Sequence, residues 1–216
     1  MKFDDYLEMS LKLDLGLDDG ISGDYQLISM LYEKGTRITV IPDNYQSFLM
    51  GDEYKEIILE NSFRYYDLLN KNQRIMCSSP AIMYEQYLPY IEAKGNVLLG
   101  GLGLGIIPLL MCKKEIVHKV TVVELSSDVI KLCGRENEKL EIINADFYNY
   151  LRTQDLSIYD YIYMDAYTSE GNVYADIIIP TRKFLLENYP TIPFDFWEED
   201  EWKINYVLKY KNAQVQ

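Results

Sequence analysis

Histidine is all but missing from this 216-residue chain, His118 being the only one. A histidine-based metal site or a Ser-His-Asp triad therefore has almost nothing to build on. His118 follows Ile116-Val117 just before a strand-like run and reads as a loop residue. Cysteine is scarce too. Cys77, Cys112 and Cys133 are odd in number and show no Cys-x-x-Cys spacing, so they are read as small core residues in a reducing compartment. No metal site is expected. Basic residues are outnumbered, with 21 Lys and Arg against 34 Asp and Glu and a net charge of −13. Such a field repels phosphate backbones and anionic headgroups, which makes nucleic acid a poor partner. Small cationic substrates suit it better, although an acidic surface also serves plain solubility. No apolar run approaches membrane-spanning length, and Met1-Lys2-Phe3-Asp4-Asp5 lacks a basic stretch followed by an apolar one. These absences predict a soluble, cytoplasmic protein with no membrane partner.

Apolar residues make up 48% of the chain, enough for a full core in one domain of ordinary size. Residues 1–24 are acidic and punctuated by glycine, which suggests a short helix and then a turn. Residues 25–30 and 37–41 look like strands of a hairpin around Glu33-Lys34-Gly35. Apolar residues at helical spacing predict a helix over 52–69. Ser78-Ser79-Pro80 is expected to open the next helix, over 81–93, with serine as cap and proline in the first turn. From Gly95 the pattern changes. Short apolar runs at 97–99, 119–125, 140–144 and 159–165 alternate with helical segments, which indicates βαβ units and a parallel sheet. A further helix is expected over 182–189, then an acidic loop at 198–201 and a strand over 203–210. The fold predicted is α/β, a Rossmann-like mostly parallel sheet with helices on both faces. A small N-terminal hairpin and helix region (1–80) precedes that domain (81–216).

The strongest chemical signal is Val97-Leu98-Leu99-Gly100-Gly101-Leu102-Gly103-Leu104-Gly105. A buried strand running into glycines at 101, 103 and 105 lets the backbone approach a ligand closely, ahead of the helix that follows. Glycine also serves tight strand–helix turns by itself. Glu124, about 20 residues on, ends the next strand, where a carboxylate can take two ribose hydroxyls. Asp146 ends the third strand and immediately precedes a helix, so it suits either an adenine amino group or a helix cap. Asp165 ends the fourth strand, and carboxyl ends of parallel strands face the ligand crevice. Among 20 tyrosines, Tyr167 beside Asp165 is the candidate substrate wall. Tyr159, Tyr161 and Tyr163 alternate as one face of a half-buried strand would.

This ordered set resembles the class I S-adenosylmethionine-dependent methyltransferase superfamily, and within it the spermidine-synthase-like branch. Val97 through Gly105 resembles that branch's strand and glycine turn. Ala145-Asp146-Phe147 through Leu151 is similar to its Gly-Asp-Ala-x-x-Phe-Leu segment, and Tyr159-Asp160 through Asp165 to its Tyr-Asp-x-Ile-x-x-Asp. The likeness covers residues 95–168, with a weaker echo of the family's N-terminal hairpin at 24–28 and of its gate region at Gln46 and Asp52-Glu53. It implies S-adenosylmethionine or its decarboxylated form as cofactor. On that basis Gly101, Gly103 and Gly105 would cradle the methionine end, Glu124 would hold the ribose, Asp146 would meet the adenine, and Asp165 would lie beside the transferring group. Two departures bear on activity. Ala166-Tyr167-Thr168 follows Asp165 where the branch carries a second aspartate, which removes a carboxylate that helps to hold a cationic amine. The Asp-Pro-Pro-Tyr-like tetrapeptide of amino-group DNA methylases is absent.

The expected activity is methyl transfer to a small molecule or protein side chain, with Asp165 as catalytic residue. Aminopropyl transfer to a diamine is the second expectation, and a non-catalytic binding protein with the same fold is the third. The expected partner is a small molecule, and a homodimer is left open.

Overall fold

The computed structural model describes residues 3–40, 55–80, 87–166 and 172–197. A parallel sheet forms its centre: β7 (Gly95–Gly100), β8 (Val117–Glu124), β9 (Leu140–Asn144), β10 (Tyr161–Met164) and β11 (Phe194–Phe196). In space they run β11-β10-β7-β8-β9, all parallel. Two chain directions diverge from β7, towards β8 on one side and β10 on the other, so a topological switch point lies between β7 and β10. Two apolar faces follow from the register. Val97 and Leu99 line up with Val120, Val122, Tyr161 and Tyr163 on one face, while Leu98 lines up with Ile162 on the other. The first set belongs to a core that also takes in α2 (Tyr87–Glu92) and α3 (Ile106–Cys112) through Tyr90, Ile106 and Leu110. The second packs with α5 (Phe147–Thr153) and α6 (Ile179–Asn188). Helices therefore cover both faces, as the sequence predicts. α4 (Ser127–Cys133) joins the first core through Val129 and Cys133.

The N-terminal region holds α1 (Phe3–Leu11) and a four-stranded antiparallel sheet ordered β1-β2-β5-β6: β1 (Gly20–Ser22), β2 (Tyr25–Tyr32), β5 (Phe63–Asn70) and β6 (Gln73–Cys77). A separate ribbon pairs β3 (Arg37–Val40) with β4 (Lys55–Ile58). Residues 25–30 and 37–40 are strands, but not partners of one another. β2 uses its full length against β5, from Tyr25↔Asn70 to Tyr32↔Phe63, while β3 turns away to β4. The helix expected over 52–69 is also corrected. Within it, 55–58 and 63–69 are strand, because Tyr66 and Leu68 bury one face at period two. The chain reverses at Lys71 and Asn72, whose φ of 48° and 66° are those of a two-residue hairpin turn. Ser78 extends the sheet: its Oγ accepts the Tyr66 N–H at 2.7 Å, and its own N–H donates to the Tyr66 carbonyl; the helix start expected at 81, and with it the serine cap, lies outside the described residues.

Three smaller differences follow. His118 lies exposed inside β8, not in a loop. β10 is buried on both faces, not half-buried, because β7 and β11 flank it and helices cover both sides. β11, which sequence patterning misses, gives the sheet a three-residue edge, Ile162↔Phe194 to Met164↔Phe196. The acidic loop at 198–201 and the strand at 203–210 lie outside the described residues. No helix among the described residues is long and apolar enough to cross a membrane.

Candidate functional site

Each strand-end residue singled out in the sequence arrives at the carboxyl edge of the parallel sheet. β7 delivers Gly100 and the turn to Gly105, β8 delivers Glu124, the bend after β9 delivers Asp146, and the residue after β10 is Asp165. Adjacent pairing of β10, β7, β8 and β9 sets them side by side. The Asp165 N–H donates to the Gly100 carbonyl at 2.9 Å, which joins the ends of β7 and β10.

Glycine is required in the turn for two reasons. Gly101 and Gly103 have φ of 91° and 52°, which side chains disfavour. A Cβ on Gly101 would strike the Asp165 carbonyl oxygen, and one on Gly103 would strike the Met76 thioether. The turn then enters α3 without a side-chain cap. Pro108 stands in the first turn of that helix, where a missing N–H costs nothing.

Glu124 is half-buried and holds the turn directly. One carboxylate oxygen accepts the Leu102 N–H at 2.9 Å, and the other accepts the Ser126 N–H at 2.8 Å. An ionised carboxylate has about four acceptor positions, so each oxygen keeps one for a ligand. The Asn144 amide fixes the same corner by donating to the Glu124 and Leu125 carbonyls, both at 2.9 Å. Leu125 itself is 70% exposed beside Glu124 and offers an apolar surface at the edge of the site. Asp146 is exposed and caps α5, with Oδ1 accepting the Asn149 N–H at 2.7 Å. The cap reading holds, and the second oxygen is not used in that bond. Tyr167 and Thr168 lie outside the described residues, as do Gln46, Asp52 and Glu53.

Sequence reasoning misses two residues here. Leu125 leaves a signal, an apolar residue past a strand's carboxylate. Met76 leaves none, because β6 brings it to the glycine turn only in three dimensions: the Leu104 N–H donates to its sulfur at 3.1 Å. Two clefts are formed by described residues, and the second reaches Ile106, the residue after Gly105. One of about 550 Å³ is lined by Arg135, Asn137 and Leu140, and one of about 510 Å³ lies between the 10–18 segment and β5.

The three cysteines are buried and unpaired. Burial pushes the thiols of Cys77 and Cys112 up to about 11 and that of Cys133 up to about 12. They stay protonated and poorly nucleophilic at neutral pH, which suits the core role read from sequence. Among the described residues no cluster of His, Cys, Asp and Glu could hold a metal ion.

No family model matches the chain, and no curated protein matches it. Among solved structures, spermidine synthase from Thermotoga maritima is 20% identical over 45% of this chain and 39% of its own, with a TM-score of 0.37. A spermidine synthase in complex with the transition-state analogue AdoDATO is 18% identical over 61% of this chain and 48% of its own, TM-score 0.45. Trm5b from Pyrococcus abyssi is 13% identical over 68% and 44%, TM-score 0.37. The match spans less than half the length of each of these structures. Likenesses this slight carry no assignment, which rests on the geometry above.

Proposed function

We propose that this chain is a transferase that binds S-adenosylmethionine, or its decarboxylated form, at the carboxyl edge of the parallel sheet. The favoured reaction is methyl transfer to a small molecule or protein side chain. One observation carries the reading: Glu124, at the end of β8, is bonded to the glycine turn of β7 next to the switch point, with one acceptor position left on each oxygen. Two vicinal hydroxyls of a ribose match that pair of positions. Leu125 provides an apolar face for a purine, and the free oxygen of Asp146 accepts from its amino group. The close-approach backbone at Gly101, Gly103 and Gly105 admits the rest of the molecule. When bound, the cofactor supplies an electrophilic carbon on a sulfonium. Asp165 orients the acceptor amine or hydroxyl and takes its proton, while Tyr167 forms the acceptor wall. Positioning by these groups supplies much of the rate.

A second reading, aminopropyl transfer from the decarboxylated cofactor, draws on the state of the turn's N–H groups. Those of Gly101, Leu102, Leu104 and Gly105 are all engaged within the chain, so of the turn's donors the Gly103 N–H alone remains for an amino-acid carboxylate. Against it stands Thr168, where a second amine-holding acid is expected. The test is S-adenosylhomocysteine release by wild type and Asp165→Asn over a panel of amine and hydroxyl acceptors. Methyl transfer predicts turnover in wild type and a loss of about 10²-fold in the variant, with cofactor affinity changed only a few-fold. Spermidine formed from putrescine and decarboxylated cofactor establishes the second reading instead. Binding without turnover on either cofactor identifies a non-catalytic binding protein.

A further inference from the structure

Met76 is the last-but-one residue of β6, the edge strand of the N-terminal sheet. Its partner across the ladder is Leu68, which is buried in the shared core, so its side chain is directed inward rather than to solvent. There it meets the glycine turn twice: its sulfur accepts the Leu104 N–H at 3.1 Å, and its Sδ and Cε stand where a Gly103 Cβ would be.

The partners of the neighbouring N–H groups set the meaning of that contact. Gly101 donates to the Val123 carbonyl at 2.9 Å and Gly105 to the Leu102 carbonyl at 2.9 Å. Leu102 donates to the Glu124 carboxylate. Those acceptors are strong and built into the fold. The acceptor of Leu104 is a thioether, the weakest acceptor among common side chains, carried on the flexible stem of a methionine. Leu104 therefore has the one engaged N–H in the turn that a ligand oxygen can take over at small cost.

We propose that Met76 is a specificity-determining residue: its thioether occupies the Leu104 N–H and the space over Gly103, disfavouring adenosyl ligands whose tail carries a carboxylate. The proposal rests on the adenosyl-cofactor reading of the site and names the part of the ligand that Met76 senses: the decarboxylated cofactor binds with Met76 in place, whereas S-adenosylmethionine, the donor for methyl transfer, binds with Met76 moved aside. A tail with a carboxylate gains the Leu104 N–H only by moving Met76 aside, so its apparent affinity is reduced by the fraction of molecules with Met76 in place. A ligand ending in a methylthio group needs neither the N–H nor the space.

The experiment is calorimetric titration of S-adenosylhomocysteine and methylthioadenosine into wild type, Met76→Ala and Met76→Leu. Met76→Ala is expected to bind S-adenosylhomocysteine about three- to tenfold more tightly, the range of one neutral hydrogen bond. Methylthioadenosine should change less than about twofold in the same variant. Met76→Leu keeps the bulk but not the acceptor, and guards against a packing defect in the alanine variant. In the ligand-free protein the Leu104 amide should exchange with deuterium faster in both variants, by a similar three- to tenfold factor. Equal shifts for both ligands, or unchanged Leu104 exchange, overturn the role of Met76 while leaving the cofactor reading intact. Failure of every protein to bind either ligand overturns the cofactor reading, and the specificity role with it.

Discussion

The carboxylate of Glu124 accepts a backbone N–H on each oxygen, from Leu102 and Ser126, so its removal frees two donors and loosens the glycine turn before any ligand is considered. Glu124→Ala is expected to lose about 1.5–3 kcal/mol of cofactor affinity, the scale of hydrogen bonds to a charged group. It should also lower the melting temperature of the ligand-free protein. Glu124→Gln sharpens the test, because its amide must set an N–H against one of the two backbone donors. Calorimetry and thermal melts read the two losses separately, and a variant that melts earlier with unchanged affinity would confine Glu124 to a structural role. At this scale much of the site is legible in sequence. Gly101, Gly103, Gly105, Glu124, Asp146 and Asp165 all follow apolar runs, and parallel strands carry whatever ends them to one edge. Met76 is not legible, since it stands 28 residues before Leu104 and reaches it through sheet pairing.

Among the elements, the parallel strands β7 to β10 and the helices α3 to α6 match their sequence signals within a few residues, because β-branched and leucine runs there are short and bounded by glycine or polar turns. The misread stretch is 52–69. Ile57, Ile58, Leu59, Tyr65 and Leu68 fall at helical spacing, yet Asn61 and Ser62 interrupt the run, and the segment is two strands serving different sheets. Long-range pairing with β2 outweighs local periodicity there. The hairpin joining β5 to β6 places Lys71 and Asn72 at positive φ, which favours Asn-Gly. The double substitution Lys71→Asn with Asn72→Gly should therefore stabilise the protein by about 1 kcal/mol and raise its melting temperature by about 2–4 °C. The exposed Lys71–Asp24 ion pair lost in the process contributes little. A fall in melting temperature would contradict the turn.

Over the whole molecule, burial of the three thiols links stability to alkaline pH. An unfolded thiol ionises near 9, whereas the folded ones hold their protons to about 11 or 12. The folded state binds more protons in that window, so this stabilisation is complete below pH 9 and is lost as pH rises towards 11 and 12. Each thiol contributes a slope of at most about 1.4 kcal/mol per pH unit. Urea midpoints measured from pH 7.5 to 10.5 should hold level and then fall above 9. A Cys133→Ala variant should show a shallower fall, and an identical fall would remove that thiol from the account.

The core that joins Leu15, Leu17 and Leu27 to Leu99, Val129 and Cys133 also sets an order of events during synthesis. Ser22 bonds to Asp128, 106 residues later, and Leu15 to Arg135, 120 residues later. At about 5–20 residues per second, the first strands leave the ribosome roughly 5–20 s before the surface that covers them exists. The nascent N-terminal sheet must survive that interval with Leu27 and Leu68 uncovered, so a ribosome pause that holds residue 128 in the exit tunnel should expose it to chaperones and proteases, whereas one placed after residue 144 has left the tunnel should not.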